Sequence, residues 1–115
     1  MSNIANWARE FKVWHYSVSY SRLLLRSLRD SSPSRVDVLF SNVIFLHLPT
    51  NFPSLRIDLV EGRSFGGIEI PETVKGNWYS INGGESYVFA THCQWHEDDG
   101  NFKTPSRFGP FGKTE

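Results

Sequence analysis

The chain has 115 residues, 39% of them apolar and 21% charged, which suits one globular core, is too short for two, and excludes a disordered protein. Twelve Lys and Arg balance twelve Asp and Glu, so no net field draws the protein toward nucleic acid or an acidic membrane. The single cysteine, Cys93, excludes an internal disulfide framework. No signal-peptide pattern and no run of about 20 apolar residues is present. We therefore expect one soluble, cytoplasmic domain over 1–115, without a membrane segment.

The first twenty residues predict a short helical turn followed by a strand. One helical face of residues 4–11 carries four apolar side chains: Ile4, Trp7, Ala8 and Phe11. Asn3 is a suitable cap for that turn. Residues 10–20 then alternate with the period of two that is typical of a strand. One face of this strand carries aromatic and branched side chains: Trp14, Tyr16, Val18 and Tyr20.

Residues 21–29, Ser-Arg-Leu-Leu-Leu-Arg-Ser-Leu-Arg, fit both a helix and a strand. A helix aligns Leu24 with Leu28 and places three arginines on the opposite stripe: Arg22, Arg26 and Arg29. A strand leaves Leu24 on the outward face. We predict a strand, because strand-like segments flank it and residues 27–34 have the composition of a hairpin loop. A helix near 19–30 is the alternative and would give an α+β fold.

The middle of the chain gives the strongest strand predictions. Residues 35–40 and 43–48 are dense in Val, Ile, Leu and Phe, and the Ser-Asn pair at 41–42 indicates a tight turn or a β-bulge. Pro49 ends the pairing because it has no amide hydrogen to donate. Residues 55–61 alternate between apolar and charged side chains, which predicts a strand with one buried face.

Glycine residues mark a loop and a turn in the next part of the chain. A glycine-rich loop at 62–67 precedes a short predicted strand at 68–70. Asn82-Gly83-Gly84 separates two strand-like segments, 77–81 and 85–95. This is a strong hairpin pattern, because Asn and Gly both tolerate positive φ.

The C-terminal residues show no strand pattern. Asp99-Gly100 predicts a turn, and residues 104–115 hold two prolines, two glycines and no alternation. We expect a tail that either packs on the surface through Phe108 and Phe111 or is disordered. The six to eight short strands before it predict an all-β fold, either an antiparallel sandwich or a small barrel.

The densest polar cluster, residues 92–99, contains the residue types that a zinc site uses. The preceding residues predict a strand, along which His92 and His96 lie about 13 Å apart. Ligands of one zinc ion each lie about 2 Å from the metal, so an extended chain keeps the two imidazoles apart. Cys93 and His96 point to opposite faces. We therefore predict no metal, cofactor or catalytic residue; a small metal-dependent hydrolase using His92 and His96 is the alternative.

Arg22, Arg26 and Arg29 are the best candidates for binding nucleic acid. Arginine forms bidentate contacts with phosphate, and nearby tyrosines could stack on bases. The neutral net charge argues against this function, because nucleic-acid-binding domains usually carry a basic surplus. A solvent-exposed arginine face balanced by acids explains the same residues. A nucleic-acid binder is therefore a further alternative.

Aromatic side chains are numerous for a core of this size: four Trp, four Tyr and nine Phe. Exposed Trp and Tyr often anchor protein interfaces, and we expect Trp78, Tyr79 and Trp95 to be such anchors. The leading hypothesis is a noncatalytic binding module that contacts a protein partner or a second copy of itself. Small cytosolic domains of this class include toxin-neutralising immunity proteins and homo-oligomeric accessory factors.

Overall fold

The computed structural model describes residues 2–27 and 34–98, and in that part of the chain the regular structure is β-strand apart from one short 3₁₀ turn. The strands are β1 (Ser2–Trp7), β2 (Phe11–Ser17), β3 (Arg22–Ser27), β4 (Arg35–Ser41), β5 (Phe45–His47), β6 (Asn51–Phe52), β7 (Leu55–Val60), β8 (Ser64–Phe65), β9 (Ile68–Glu69), β10 (Asn77–Ile81), β11 (Ser86–Ala90) and β12 (His92–Asp98). The predicted loop at 28–33, turn at 99–100 and tail at 104–115 lie outside the described residues.

Ten of these strands form two five-stranded antiparallel sheets that pack as a sandwich. The strand order is β1-β7-β10-β11-β5 in sheet I and β12-β4-β3-β2-β6 in sheet II. The other two strands, β8 and β9, pair with each other as a small hairpin. The predicted all-β antiparallel sandwich is confirmed, and the alternative α+β fold is wrong.

The main core lies between the two sheets, where alternate residues of each strand point inward. Sheet II contributes the buried side chains of Phe11, Leu23, Leu25, Val36, Val38 and Phe40. Sheet I contributes those of Leu55, Ile57, Tyr79, Ile81, Val88 and Ala90. Alternation then requires the residues between them to point away from the partner sheet, so each sheet has an inner and an outer face.

The ambiguous leucine–arginine segment is a strand, β3, and the helix near 19–30 is wrong. β3 pairs with β2 on one side and with β4 on the other, in the middle of sheet II. Both edges of its backbone are therefore hydrogen bonded, and Leu23 and Leu25 reach the core. Leu24 points to the outer face, as a strand requires, yet it is fully buried.

Two local predictions are wrong. Residues 2–7 form the edge strand β1, which pairs with β7, and not a helical turn. Asn3 caps no helix; its side-chain amide donates to Asp58 Oδ1 at 3.2 Å. The Ser41-Asn42 interruption is neither a tight turn nor a bulge, because β4 belongs to sheet II and β5 to sheet I. The chain crosses between the sheets there, with Asn42 at a φ of 53°.

A bulge in β2 changes which faces its aromatic side chains occupy. The register with β3 shifts between Val13 and His15. Tyr16 consequently pairs with the inward-facing Leu23, whereas Trp14 packs against Leu24 on the outer face. The predicted strand is confirmed, but a common face for Trp14 and Tyr16 is wrong, because a bulge adds one residue to the alternation.

The hairpin at Asn82-Gly83-Gly84 is confirmed. β10 and β11 pair in continuous register, from Asn77 opposite Ala90 to Ile81 opposite Ser86. Asn82 and Gly83 have φ values of 53° and 76°, the positive values on which the prediction depended.

Candidate functional site: the loop end of the sandwich

Two of the three predicted interface anchors are buried. Trp78 and Tyr79 are neighbours on β10 and point to opposite faces of sheet I. Tyr79 lies in the main core, with its ring centroid 5.5 Å from that of Phe40. The indole Nε1 of Trp78 donates to the carbonyl of Arg63 at 2.9 Å. The expectation that these two side chains are exposed is wrong, because both faces of β10 are covered.

Trp95 is the third predicted anchor, and 42% of its surface is exposed. It lies on β12, an edge strand of sheet II, and packs edge-on against Trp7 with 5.5 Å between ring centroids. Trp7 belongs to β1, an edge strand of sheet I. The pair therefore closes one open side of the sandwich, and the interface role of Trp95 stays a prediction.

The polar cluster at 92–98 is extended, as predicted. His92 and His96 pair with Ser41 and Asp37 along β4, which keeps them about 13 Å apart. In residues 2–27 and 34–98, no three His, Cys, Asp or Glu side chains are grouped closely enough to hold a metal ion. Asp98 instead pairs with Arg35, its Oδ2 lying 2.8 Å from the guanidinium Nη2.

Cys93 points inward from β12 and packs against the main core. Burial raises the pKa of its thiol to about 12. The thiol is therefore neutral and a poor nucleophile at physiological pH.

Arg26, the central residue of the arginine stripe, does not lie on a solvent-exposed face. Arg26 is buried and makes a bidentate ion pair with Asp37, at 2.8 Å from Nε and 3.2 Å from Nη2. Its guanidinium carbon lies 5.0 Å from the ring centroid of Trp14. Arg22 is half-buried, and Arg29 lies outside the described residues. A nucleic-acid surface that uses Arg26 is incompatible with this burial.

Exposed apolar side chains instead gather at one end of the sandwich. The exposed fractions are 82% for Val18, 65% for Tyr20 and 54% for Ile44. Val18 and Tyr20 lie in the turn between β2 and β3, and Ile44 lies in the crossing from β4 to β5. These three residues are called the loop end below.

Hydrogen bonds join the segments that carry the loop end. The amide of Val43 donates to the carbonyl of Ser21 at 2.8 Å, so the neighbours Tyr20 and Ile44 lie on adjoining segments. The amide of Ile44 donates to the carbonyl of Phe89 at 2.8 Å, which fixes the crossing to sheet I.

The backbone of the loop end includes two residues in an uncommon conformation. Ser21 has a φ of 50° and Asn42 a φ of 53°. Residues other than glycine rarely adopt such values, and such conformations persist when the surrounding contacts fix them. The Asn42 side chain is one such contact, since its amide donates to Thr91 Oγ1 at 3.0 Å. The loop end is thus a fixed apolar surface.

The apolar residues of the loop end are spaced like those of a strand, and the sequence analysis therefore did not identify this surface. Val18 and Tyr20 continue the apolar face of β2 by spacing, which predicts that they are buried. β2 ends at Ser17, however, and both side chains project beyond the last strand pair. The serines around them, Ser-Val-Ser-Tyr-Ser at 17–21, are typical of a turn.

Comparison with protein-family models, with curated proteins and with solved structures finds no match for this chain. Among the residues that the structure describes, no helix has the length and apolar character needed to cross a membrane. The loop end offers apolar surface and hydroxyl groups, and no charged residue occurs in 16–21 or 38–46.

Proposed function

We propose that this protein is a noncatalytic module that binds another protein through the loop end. The observation that carries the proposal is the exposure of Val18, Tyr20 and Ile44 on adjoining, hydrogen-bonded segments. Large apolar side chains that protrude together from a well-packed fold mark interaction surfaces more often than isolated ones do.

The chemistry of the loop end favours a protein partner over a polyanion. A nucleic acid or an acidic membrane is bound through basic side chains, and none lies in 16–21 or 38–46. Tyrosine, serine and asparagine are the residues with which antibody loops contact proteins, because they combine a large ring with adaptable hydrogen bonding. Burial of the exposed valine and isoleucine adds about 25 cal/mol for each Å² removed from water.

The fixed backbone of the loop end also favours binding. A loop that must become ordered on association loses conformational entropy at that step, and this loss weakens binding. Here the segments are already joined through the Val43–Ser21 and Ile44–Phe89 hydrogen bonds. The partner is either a different protein or a second copy of the chain, and we place the interaction in the cytoplasm, where a thiol such as Cys93 stays reduced.

The test compares three variants of the purified full chain. The loop-end variant carries Val18→Ser, Tyr20→Ser and Ile44→Ser. A control of equal size and unchanged net charge carries Glu61→Ser, Thr73→Ser and Lys75→Ser, all at exposed positions. The third variant, Trp95→Ser, tests the anchor that was inferred from the sequence.

Two measurements cover both kinds of partner. Sedimentation equilibrium measures self-association, because it gives the mass of the purified chain over a range of concentrations. Quantitative affinity enrichment from the source cells measures binding to a different protein. We expect the loop-end variant to lower the affinity for the partner by at least about 10-fold, or about 1.4 kcal/mol. The control variant should bind as the wild type does, and all three should remain folded.

Three outcomes contradict the proposal. A partner or dimer that the loop-end variant retains fully removes this surface from the interface. Loss of binding only in Trp95→Ser would move the interface to the open side of the sandwich. Unfolding of the loop-end variant would show that its three side chains stabilise the fold, and that they are not a binding surface.

A further inference from the structure

The apolar surface at the loop end continues onto one open side of the sandwich. Leu46 on β5 pairs with the inward-facing Val88 and shares its face, yet 37% of its surface is exposed. Tyr16 on β2 pairs with the inward-facing Leu23, yet 41% of its surface is exposed. Inward-facing side chains are buried where two sheets meet, so both residues lie where the sandwich is not closed.

Leu46 and Tyr16 lie on the same side of the molecule. β5 is an edge strand of sheet I, and β6 is the edge strand of sheet II beside β2. Residues 48–50 join β5 to β6, and this connection reaches at most about 14 Å, which is little more than the distance between two packed sheets. The edges of β5 and β2 therefore border one opening, on the opposite side from the Trp7–Trp95 pair.

The two residues extend the loop end into a larger surface. Each of them is two positions along the chain from a residue of the loop end, and the hydrogen bond between Val43 and Ser21 joins the two segments. This surface, called the apolar corner below, consists of Tyr16, Val18, Tyr20, Ile44 and Leu46. It contains five of the six large apolar side chains that are exposed in residues 2–27 and 34–98.

The apolar corner has the area that a specific contact needs. A whole aromatic side chain has about 150–250 Å² of surface, so the exposed fractions leave on the order of 500 Å² of the corner in water. Apolar patches of this size on a single chain often have a function. Two such surfaces together bury about 1,000 Å², the area that separates specific interfaces from chance contacts.

The chemistry of the apolar corner suits contact with an identical surface. In a two-fold contact the same patch of both copies meets itself, and like charges would repel there. Residues 16–21 and 38–46 carry no charge. Tyr16, Ser19 and Tyr20 instead supply hydroxyl groups, which pair with one another because each both donates and accepts. The formal net charge of the chain is zero at pH 7, so two copies do not repel each other at a distance.

We propose that two copies of this chain associate through the apolar corner, around a two-fold axis. The inference rests on the proposed function, because it names a second copy as the partner of the loop end. It also adds Tyr16 and Leu46 to the interface. Since the buried area lies at the low end for specific interfaces, we expect a weak dimer that exchanges with the monomer at micromolar concentrations.

Opposite charges placed on the apolar corner test this contact in the purified full chain. One variant carries Val18→Lys and Ile44→Lys, and the second carries Val18→Glu and Ile44→Glu. Both positions are more than half exposed, so the fold tolerates the charges. Sedimentation equilibrium gives the mass of the wild type, of each variant and of an equal mixture of the variants. We expect each variant alone to have its dissociation constant raised at least about 100-fold, and the mixture to regain the dimer.

A matched control places the same charges far from the apolar corner. Ser64 and Thr73 are exposed positions in residues 61–76, which cover the outer face of sheet I through Phe65, Ile68 and Val74. The control variants carry two lysines or two glutamates at these positions, so their net charges equal those of the corner variants. Both should dimerise as the wild type does.

Isotope-filtered NMR locates the contact without changing any side chain. A mixture of isotope-labelled and unlabelled wild-type chain gives signals only from proton pairs that belong to different molecules. We expect contacts between the rings of Tyr16 or Tyr20 and the methyl groups of Ile44 or Leu46. Contacts between copies through Trp95, in place of these residues, would overturn the inference.

The results distinguish this inference from the proposed function. A wild type that stays monomeric overturns the second copy as partner, and the loop-end variant then tests the proposed function on a different protein alone. A dimer that persists in both charge variants contradicts both proposals. Loss of the dimer in each variant without recovery in the mixture overturns the two-fold contact.

Discussion

An arginine lies beside an aromatic ring on the outer face of each sheet, but the two guanidinium groups have different hydrogen-bond partners. On sheet I the guanidinium of Arg63 lies 5.4 Å from the ring centroid of Phe89. It donates to the backbone carbonyls of Pro71, Val74 and Gly76. On sheet II the guanidinium of Arg26 lies over Trp14 and binds the carboxylate of Asp37.

Because their partners differ, the two arginines have different structural roles. Arg63 is partly exposed and ties together residues 61–76, the segment that covers Trp78, so its hydrogen bonds hold a covering layer in place. Arg26 and Asp37 are both buried and form an ion pair within the sheet. A buried pair contributes little compared with a well-packed apolar pair, but the loss of one partner leaves an uncompensated charge. The two faces should therefore respond very differently to single substitutions.

The largest effect is expected for Asp37→Leu. This change leaves the Arg26 charge buried without its carboxylate, and we expect it to lower the free energy of unfolding by about 3–5 kcal/mol. The double variant Arg26→Met/Asp37→Leu removes both charges and should regain most of that loss. Chemical denaturation of both variants gives the two numbers. A loss below about 1 kcal/mol for Asp37→Leu would show that water reaches the pair, contrary to the burial of this face.

A smaller effect is expected for Arg63→Met on sheet I. The change removes the donors to three carbonyls but leaves no buried charge behind, so we expect a loss of about 1.5–3 kcal/mol. The loss should be local, with faster amide hydrogen exchange at Ile70 and Val74, whose amides are hydrogen bonded within this segment.

Lys75→Met is the matched control for Arg63→Met, because Lys75 lies exposed on the same segment. It should leave stability and exchange almost unchanged. If both variants behave alike, the Arg63 hydrogen bonds do not hold residues 61–76 against sheet I.

The strands were predictable because their signals are local. Apolar density at 35–40, alternation at 55–61 and the Asn-Gly turn at 82–83 each depend on neighbouring residues, and each gave the correct element. The strand at 21–29 was also correct, although Leu24 was an objection to it. That objection disappears once the outer face of sheet II is known to be buried.

The environment of the candidate functional side chains was harder to predict, because it depends on distant parts of the chain. Trp78 is buried by residues 61–76, and no pattern around position 78 reveals that cover. Arg26 has an ordinary solvent-facing position by alternation, and its partner Asp37 lies on the neighbouring strand β4, eleven residues further along the chain. The loop end was missed for the opposite reason, since Val18 and Tyr20 keep the spacing of a strand that has already ended.

The smallest expected effect concerns Cys93 on β12, an edge strand of sheet II. The side chains on the two faces of this strand differ in charge. Asp98 on the outer side is charged and paired with Arg35, whereas Cys93 on the inner side is neutral, because burial raises its pKa from 9.0 to about 12. Well below pH 9 the folded and unfolded states both keep the thiol proton, so Cys93 does not make stability depend on pH there. Between pH 9 and about 12 the unfolded thiol loses its proton while the folded one retains it, and stability therefore falls as the pH rises.

We expect Cys93→Ala to flatten part of this decline. Denaturation midpoints of the wild type and the variant are compared at pH 8 and pH 10.5, and the wild type should show the larger decrease. Burial and, to a smaller extent, the charge on Cys93 also raise the pKa of Tyr79. The part caused by Cys93 disappears in Cys93→Ala, which flattens the decline of the variant in the same direction. Alkylation of Cys93 at pH 8 should in addition be much slower in the folded chain than in denaturant. Identical decreases in the two proteins, together with fast alkylation of the folded chain, would place Cys93 in contact with water and would mean that β12 is not closed against the core.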